Sequence, residues 1–470
     1  MQQKVRVGIT IGDINGIGPE VIIKTLYNQS VQEHCIPIIY GSSKVVSYHK
    51  NVVKLNDFTF TSIQSAERLN HRKVNVLNCW EDTVNITLGK ATTEGGQYAY
   101  IALDRAVRDL KDGLIDVLVT GPVNKHAMQL VNFPATGHTE YLEKEIGGKA
   151  LMVMVNEDFR VALVTGHIPL GEVSSLITKE NVENALNLFI DTLKIDFGID
   201  KPKVAILGLN PHASDEGLMG GEEEEVLRPL ILEFKNAGHL VMGPYSSDGF
   251  FGSGLYRKFD GILAMYHDQG LIPFKALSFG QGVNYTAGLS CIRTSPDHGT
   301  AYDLVGTNSA NEQSFRRALY LAVDMFRARA EYKDLEENSI RNVQKPAASD
   351  SENKGRNSPK DRPVAVEQIK EDKAQLSEPN EGDQQEKTDS NLDAQISVVG
   401  EETQPSTETE QNDIKDESKH TPTVVEEDHV DNIEASNEDN NEEIKAKMGN
   451  VPEDEIKKEP KSSEDVETVS

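Results

Sequence analysis

The sequence predicts an α/β protein, two-lobed and built on a mixed or parallel sheet, and three observations carry that prediction. Short, near-continuous apolar runs recur along the first 340 residues, and segments of helical periodicity separate them. The runs end in Gly and polar residues, as strands do when helices cover both faces of their sheet. Composition breaks sharply near residue 340, with every Trp, Tyr and Phe at or before Tyr332.

The elements follow in order. "VRVGIT" (5–10) is β-rich and leads into the loop "IGDINGIGPE" (11–20). Gly12, Gly16 and Gly18 make that loop, and Pro19 with Glu20 suits the first turn of a helix. "CIPIIYG" (35–41) reads as a second strand. "GGQYAYIALDRAVRDLKDG" (95–113) is a helix, because Ala99, Ala102, Leu103, Ala106, Val107 and Leu110 recur at i, i+3, i+4 and Gly113 can stop it. "DVLVTGPVNK" (116–125), "RVALVTGHIPL" (160–170), "KVAILGLNPH" (203–212) and "GILAMYHD" (261–268) are further buried strands. A helix capped by Thr178 lies between them over 178–194, and "SFRRALYLAVDMF" (314–326) closes the folded part.

Charge and composition bound the function. The chain has 470 residues and a net charge of −28. Residues 341–470 hold 35 acidic and 16 basic side chains, which leaves only −9 for the first 340. A segment without aromatics and with that much acid buries too little apolar surface to offset its ordering entropy. The expected organisation is therefore a two-lobed catalytic unit over 1–335 and a disordered acidic tail over 336–470, which suits either solubility or a basic partner. The mild acidity of the folded part argues against a nucleic-acid partner. No secretory signal and no run of about 20 apolar residues is present, so neither export nor a membrane is expected. Cys35, Cys79 and Cys291 are too scattered for a disulfide framework, and a cytoplasmic location follows.

Ligands of open α/β sheets gather at the carboxyl ends of the strands. Three of the four similar strands end in a histidine: His167, His212 and His267. These imidazoles either converge on one divalent metal with positions open for substrate, or serve as substrate donors without a metal. Asp268 is placed to orient a ring. "FPATGHTEYL" (133–142) sets His138 and Thr139 in a turn entering a helix, a place for an anion. Lys275, Asn284 and Arg293 suit a phosphorylated or carboxylated substrate. "DHGTAYDLVG" (297–306) has the small residues that let a backbone approach a cofactor. The first loop is not a dinucleotide fingerprint, since its spacing is G-x-x-x-G-x-G.

Taken together, "GDINGIGPE", "TGPVNK", "TGHTEYL", "TGHIPL", "LNPHASDEG", "YHDQG" and "GVNYTAGLSCIRTSPDHGTA" resemble the 4-hydroxythreonine-4-phosphate dehydrogenases of the vitamin B6 pathway, in order from about residue 5 to 328. The resemblance implies a fold like that of the isopropylmalate dehydrogenases and a homodimer with shared active sites, one subunit lending a histidine to the other. It implies His167, His212 and His267 as ligands of a divalent metal (Zn, Mg, Co or Mn), and His138, Thr139, Lys275, Asn284 and Arg293 as substrate contacts. Lys275 and Asp248 are the candidate catalytic residues, and His298 with Gly299 the candidate contacts to NAD or NADP. The implied reaction oxidises 4-phosphohydroxy-L-threonine at C3 and decarboxylates the β-keto acid to 3-amino-2-oxopropyl phosphate. The first loop departs from the Glu-Pro-Ala form of many members. "GPYSSDGFFG" (243–252) replaces a more usual Ala-Asp-Thr but keeps the acid at Asp248. The alternatives are a paralogue acting on a four-carbon sugar-acid phosphate such as threonate 4-phosphate, a phosphate acyltransferase, and a non-catalytic protein with a structural metal.

Overall fold

Twelve strands form one sheet in the computed structural model, which describes residues 4–338. They are β1 (Val5–Thr10), β2 (Cys35–Gly41), β3 (Phe60–Ile63), β4 (Val74–Asn78), β5 (Val117–Thr120), β6 (Gly148–Val155), β7 (Arg160–Leu163), β8 (Lys203–Leu207), β9 (Leu240–Tyr245), β10 (Gly261–Ala264), β11 (Val283–Leu289) and β12 (Arg293–Pro296). Their order across the sheet is β3-β4-β2-β1-β5-β12-β11-β6-β7-β10-β8-β9. The fold is mixed α/β, as the alternation of apolar runs and helical segments requires.

The sheet has two parallel blocks. One runs from β3 to β12 and the other from β7 to β9. Between them β11 is antiparallel to both β12 and β6, and β6 is antiparallel to β7. The expected strands over 5–10, 35–41, 116–125, 160–170, 203–212 and 261–268 all belong to the parallel blocks. Their apolar residues face helices on both sides, and β2 is buried along its whole length.

The junction where β12 of the parallel block meets the antiparallel β11 has a weaker signature. β11 reads VNYTAGL, with polar or small residues at alternate positions. All four residues of β12, RTSP, are buried although none is a large hydrophobe. Their hydroxyl and guanidinium groups find partners inside: Thr294 Oγ1 donates to the Ala318 carbonyl at 2.7 Å. A buried strand of polar residues carries no apolar run to announce it.

Helices complete the packing. Thr92 caps the helix Thr93–Lys111 by accepting from the Gly95 N–H at 3.0 Å. Its Ala99, Ala102, Leu103, Ala106 and Val107 are buried, the face expected from their spacing. The closing helix runs over Gln313–Glu337, longer than the 314–326 segment, and buries Phe315, Ala318, Leu319, Ala322 and Val323. The acidic tail beyond residue 338 lies outside the described residues. Among those described, no helix is long and apolar enough to cross a membrane.

Two features position the site. The first loop, 11–18, is wholly buried, and Gly12 has φ +74° with its α-carbon against β5's outgoing turn. A Cβ there would come within 2.4 Å of the Pro122 carbonyl oxygen, so only glycine allows the approach. Beneath β7, β8 and β10, Phe159, Phe250, Tyr256, Phe259 and Phe274 form an aromatic cluster. Phe274 anchors the helix His267–Ser278 to that cluster, with its ring 5.5 Å from Phe159.

His49 gives the fold a pH signature. It is fully buried, and its Nε2–H donates to the Ile14 carbonyl at 2.8 Å while Nδ1 has no partner. Burial pushes its pKa down to about 4. A base with a lowered folded pKa contributes stability that is complete above the unfolded value, about 6.5, and lost as pH falls toward the folded one. Urea unfolding of the wild type should therefore lose about 2–3 kcal/mol through this residue between pH 7 and pH 4.5. In His49→Gln the acid-induced loss should shrink by that amount; an unchanged loss would contradict the assignment.

Candidate active site

β5, β11 and β12 bring a cation to the floor of a cavity of about 520 Å³, lined by Lys125, His138, Thr139, His167, Asn284 and Arg293 among others. Arg293 opens β12 and is only 5% exposed. Its Nε and Nη2 donate to Thr120 Oγ1 at 3.1 and 2.7 Å, and its Nη1 donates to Thr286 Oγ1 at 3.0 Å. Among the described residues it forms no ion pair. Burial pushes its pKa down to about 10, so it remains a cation at neutral pH. Glu140 lines the same cavity and favours the charged guanidinium at longer range, but no carboxylate pairs with it directly, so a buried cation of this kind is costly and suits an anionic ligand.

His138 stands beside it, at the start of the helix His138–Ile146. Arg293 Nη2 lies 3.2 Å from His138 Nδ1. A guanidinium only donates, so Nδ1 is the acceptor and the proton of the neutral ring sits on Nε2. That Nε2 is buried and has no partner within the protein. Burial, then Arg293 and Lys125, push the His138 pKa down to about 3. The ring is therefore a neutral donor at all working pH values. Gly137 precedes it with extended backbone, and the helix N-terminus adds its own preference for negative charge.

The histidines of the strand ends occupy neighbouring tracks. β7, β10 and β8 are adjacent and parallel, so His167, His267 and His212 leave the same end of the sheet. The rings of His167 and His267 are 5.3 Å apart. Thr165 ties their loops, since its N–H and Oγ1 both donate to the Met265 carbonyl, at 3.2 and 2.7 Å. His267 Nδ1 meets Asp268 Oδ1 at 2.7 Å, which orients the ring and leaves Nε2 outward. Partial burial first, then Lys125 and His267, lower the His167 pKa and favour the neutral imidazole that a metal requires. This pair fits a divalent cation in donor type. The third member is placed otherwise: among the described residues no three His, Cys, Asp or Glu side chains are gathered to hold a metal.

His212 instead lies exposed near Asp248, in an unusual turn. Residues His212, Ala213, Ser214, Asp215 and Glu216 have φ of 56°, 52°, 72°, 48° and 58°. Left-handed backbone costs L-residues roughly 1–2 kcal/mol each, so this run must be held by its surroundings. Asp248 accepts from Ser246 Oγ, which keeps its carboxyl below the usual carboxylate range.

The loop 297–306 lies along the first loop and helix. Ile17 N–H donates to the Thr300 carbonyl at 3.0 Å, Tyr302 Oη donates to Asp13 Oδ2 at 2.6 Å, and Gly306 N–H donates to Glu20 Oε1 at 2.7 Å. His298 Nδ1–H donates to the Gly299 carbonyl at 3.0 Å, and its buried Nε2 has no partner. Gly299 is exposed, with nothing within 4 Å of where a Cβ would stand.

One cavity thus gathers His138, Thr139, His167, Asn284 and Arg293. Lys275, on the exposed face of its helix, and Asp248, His212, His298 and Gly299 do not line it. Several further residues belong to the site. Lys125 lines the cavity, and Thr120 and Thr286 fix Arg293. Gln269 accepts from the Met265 N–H at 2.6 Å and donates to the Gly208 carbonyl at 2.5 Å and Ser247 Oγ at 2.8 Å, pinning three strand ends together. The motifs "TGPVNK" and "YHDQG" contained Lys125 and Gln269, but their type alone assigned them no role.

The unpartnered Nε2–H of His138 is testable with inorganic phosphate as probe. His138→Phe keeps the ring's bulk and removes the donor, so phosphate affinity should fall about tenfold or more, the loss of one hydrogen bond to a charged group. Calorimetric titration measures it, and the wild-type affinity should show no limb from His138 between pH 5 and 8.

Residues 33–322 match the family model of pyridoxal phosphate biosynthetic protein PdxA. A Bacteroides thetaiotaomicron protein named 4-hydroxythreonine-4-phosphate dehydrogenase is 50% identical over 342 residues, 72% of this chain and 94% of its own length. A protein of the same name from a Sulfurihydrogenibium species is 39% identical over 326 residues, 69% of this chain and 99% of its own. The crystal structure of a 4-hydroxythreonine-4-phosphate dehydrogenase from Klebsiella pneumoniae is 31% identical, with a TM-score of 0.60 over 69% of this chain and 98% of that one. The cavity around Arg293 and the strand-end histidines therefore stand in a chain that belongs to the PdxA family of pyridoxal phosphate biosynthesis, and it is an oxidoreductase of that family.

Proposed function

We propose that the protein oxidises 4-phosphohydroxy-L-threonine with NAD or NADP to 2-amino-3-oxo-4-(phosphooxy)butanoate, which loses CO2 to give 3-amino-2-oxopropyl phosphate. The observation that carries this reading is Arg293, a buried cation that forms no ion pair among the described residues, next to a neutral histidine donor and a histidine pair. The names of the relatives at 50% and 39% identity support the same substrate.

Each part of the site has a role in this reading. Arg293 and the His138 Nε2–H bind an anionic group of the substrate, with Thr139 and Asn284 completing its polar contacts. Met128, Phe133 and Leu163 line the cavity and exclude water from it. His167 and His267, with His212 from a second copy of the chain, would hold one Zn, Mg, Co or Mn ion. Bound there, the cation supplies polarisation of the C3 alcohol and later of the ketone, and the nicotinamide supplies the hydride acceptor. Asp248, ionised beside His212, takes the alcohol proton, and Lys275 returns one to the carbon that loses CO2 or holds the phosphate. The loop 297–306, with His298 and Gly299, receives the dinucleotide.

The direct test is NADH or NADPH formation with the phosphorylated hydroxythreonine. Turnover should vanish on chelation, return with a divalent metal, and exceed turnover on threonate 4-phosphate. Metal-independent turnover, or a preference for the sugar acid, would contradict the proposal. Sharing of the site is tested separately by mixing two inactive variants, His212→Ala and Arg293→Met. If His212 crosses to the partner's pocket, exchange of subunits restores one intact site per mixed dimer and activity returns. If each chain uses its own His212, the mixture stays inactive.

A further inference from the structure

The turn bearing His212 is left-handed over five successive non-glycine residues, and its own hydrogen bonds are turn bonds of 3.0–3.4 Å. Ala213 N–H donates to the Asn210 carbonyl at 3.2 Å, Asp215 N–H to the His212 carbonyl at 3.4 Å, Leu218 N–H to the Asp215 carbonyl at 3.3 Å, Met219 N–H to the Ser214 carbonyl at 3.0 Å and Gly217 N–H to Ser214 Oγ at 3.2 Å. The stronger contacts come from outside. Glu223 is fully buried, and its Oε1 accepts from the Asn210 N–H at 2.7 Å while Oε2 accepts from Asn210 Nδ2 at 2.9 Å. The same amide donates to Glu222 Oε2 at 2.9 Å. The other oxygen of Glu222 accepts from Ser174 Oγ, in the segment that follows His167.

We infer that Asn210, Glu222 and Glu223 are positioning residues for His212, which hold its left-handed turn and tie it to the chain segment after His167. Two carboxylates on one amide, one of them fully buried, are a poor choice for stability alone. Three local features agree with a site built to hold this turn. Gly208 lies so close that a Cβ would meet both Ala213 Cβ and Glu223 Oε1 at 3.0 Å. Ser214, inside the turn, is fully buried. Glu223 also opens a π-helical turn, Glu223–Leu227, a rare element that re-aims side chains and recurs at functional sites. The inference rests on the proposed role of His212 as a metal ligand and adds what presents it.

The test is calorimetric titration of the metal-free, full-length protein with Co2+. His212→Ala should weaken binding, which checks the ligand role itself. Glu223→Ala should weaken it about 10–100-fold, the usual effect of losing a group that orients a ligand. Adding Asp215→Gly and Glu216→Gly to Glu223→Ala should recover most of that loss, because glycine adopts the left-handed turn without outside support. Wild-type affinity in Glu223→Ala, or a loss that the glycines do not recover, overturns the inference. Should Glu223→Ala fail to fold, Asn210→Ala serves instead: it keeps the backbone bond to Glu223 and removes the bridge to Glu222. A weaker Co2+ affinity in that variant supports the inference, and an unchanged one overturns it. Wild-type affinity in His212→Ala would instead remove the ligand role on which the inference rests.

Discussion

The guanidinium of Arg293 is the constraint around which the site is arranged. It sits at the junction of the parallel block and the antiparallel insert, where β12 pairs with β5 on one side and β11 on the other. Thr120 comes from β5 and Thr286 from β11, so both neighbouring strands hold the cation. Neutral hydroxyls satisfy its donors without cancelling its charge. The protein keeps a buried positive centre that forms no ion pair among the described residues, with Glu140 of the same cavity acting on it only at longer range. The same guanidinium fixes the tautomer of His138 and so aims a second donor into the cavity.

The sheet then supplies the second half of the chemistry. Parallel strands end on one side, and the adjacency of β7, β10 and β8 brings three histidine loops to neighbouring positions. Thr165 and Gln269 lock those ends with bonds to the Met265 backbone. The anion pocket and the histidine pair meet at His167, which lines the cavity and lies 5.3 Å from His267. Substrate charge and reacting carbon can thus be held by different strands with a fixed spacing between them.

Much of this was legible in the chain itself. Six parallel strands, β1, β2, β5, β7, β8 and β10, announced themselves as apolar runs, and the histidines that follow three of them as a repeated pattern; the parallel β3, β4 and β9 were not read. Helix limits followed from Thr178, Gly113 and the spacing of alanines and leucines, while the cap at Thr92 was found only in the structure. The β11–β12 junction was not legible, because β12 buries polar residues and β11 alternates weakly. Its hydroxyls have meaning only once Arg293 is placed between them. The left-handed turn at 212–216 was equally hidden: nothing in His-Ala-Ser-Asp-Glu favours positive φ throughout, and the conformation comes from Asn210 and Glu223. Expected site residues scattered over the sequence fall into the cavity around Arg293, a histidine pair, an exposed turn, two helices and a loop, which spacing alone does not sort.

The account turns on whether Arg293 is kept for a ligand at the expense of the empty protein. Thermal unfolding of wild type and Arg293→Met, each with and without the phosphorylated substrate, reads this directly. Removing an unpaired buried cation should leave the ligand-free protein as stable or more stable, and should abolish the stabilisation by substrate. A variant that is destabilised when empty yet still stabilised by substrate would show that Arg293 is a structural residue and that the anion binds elsewhere.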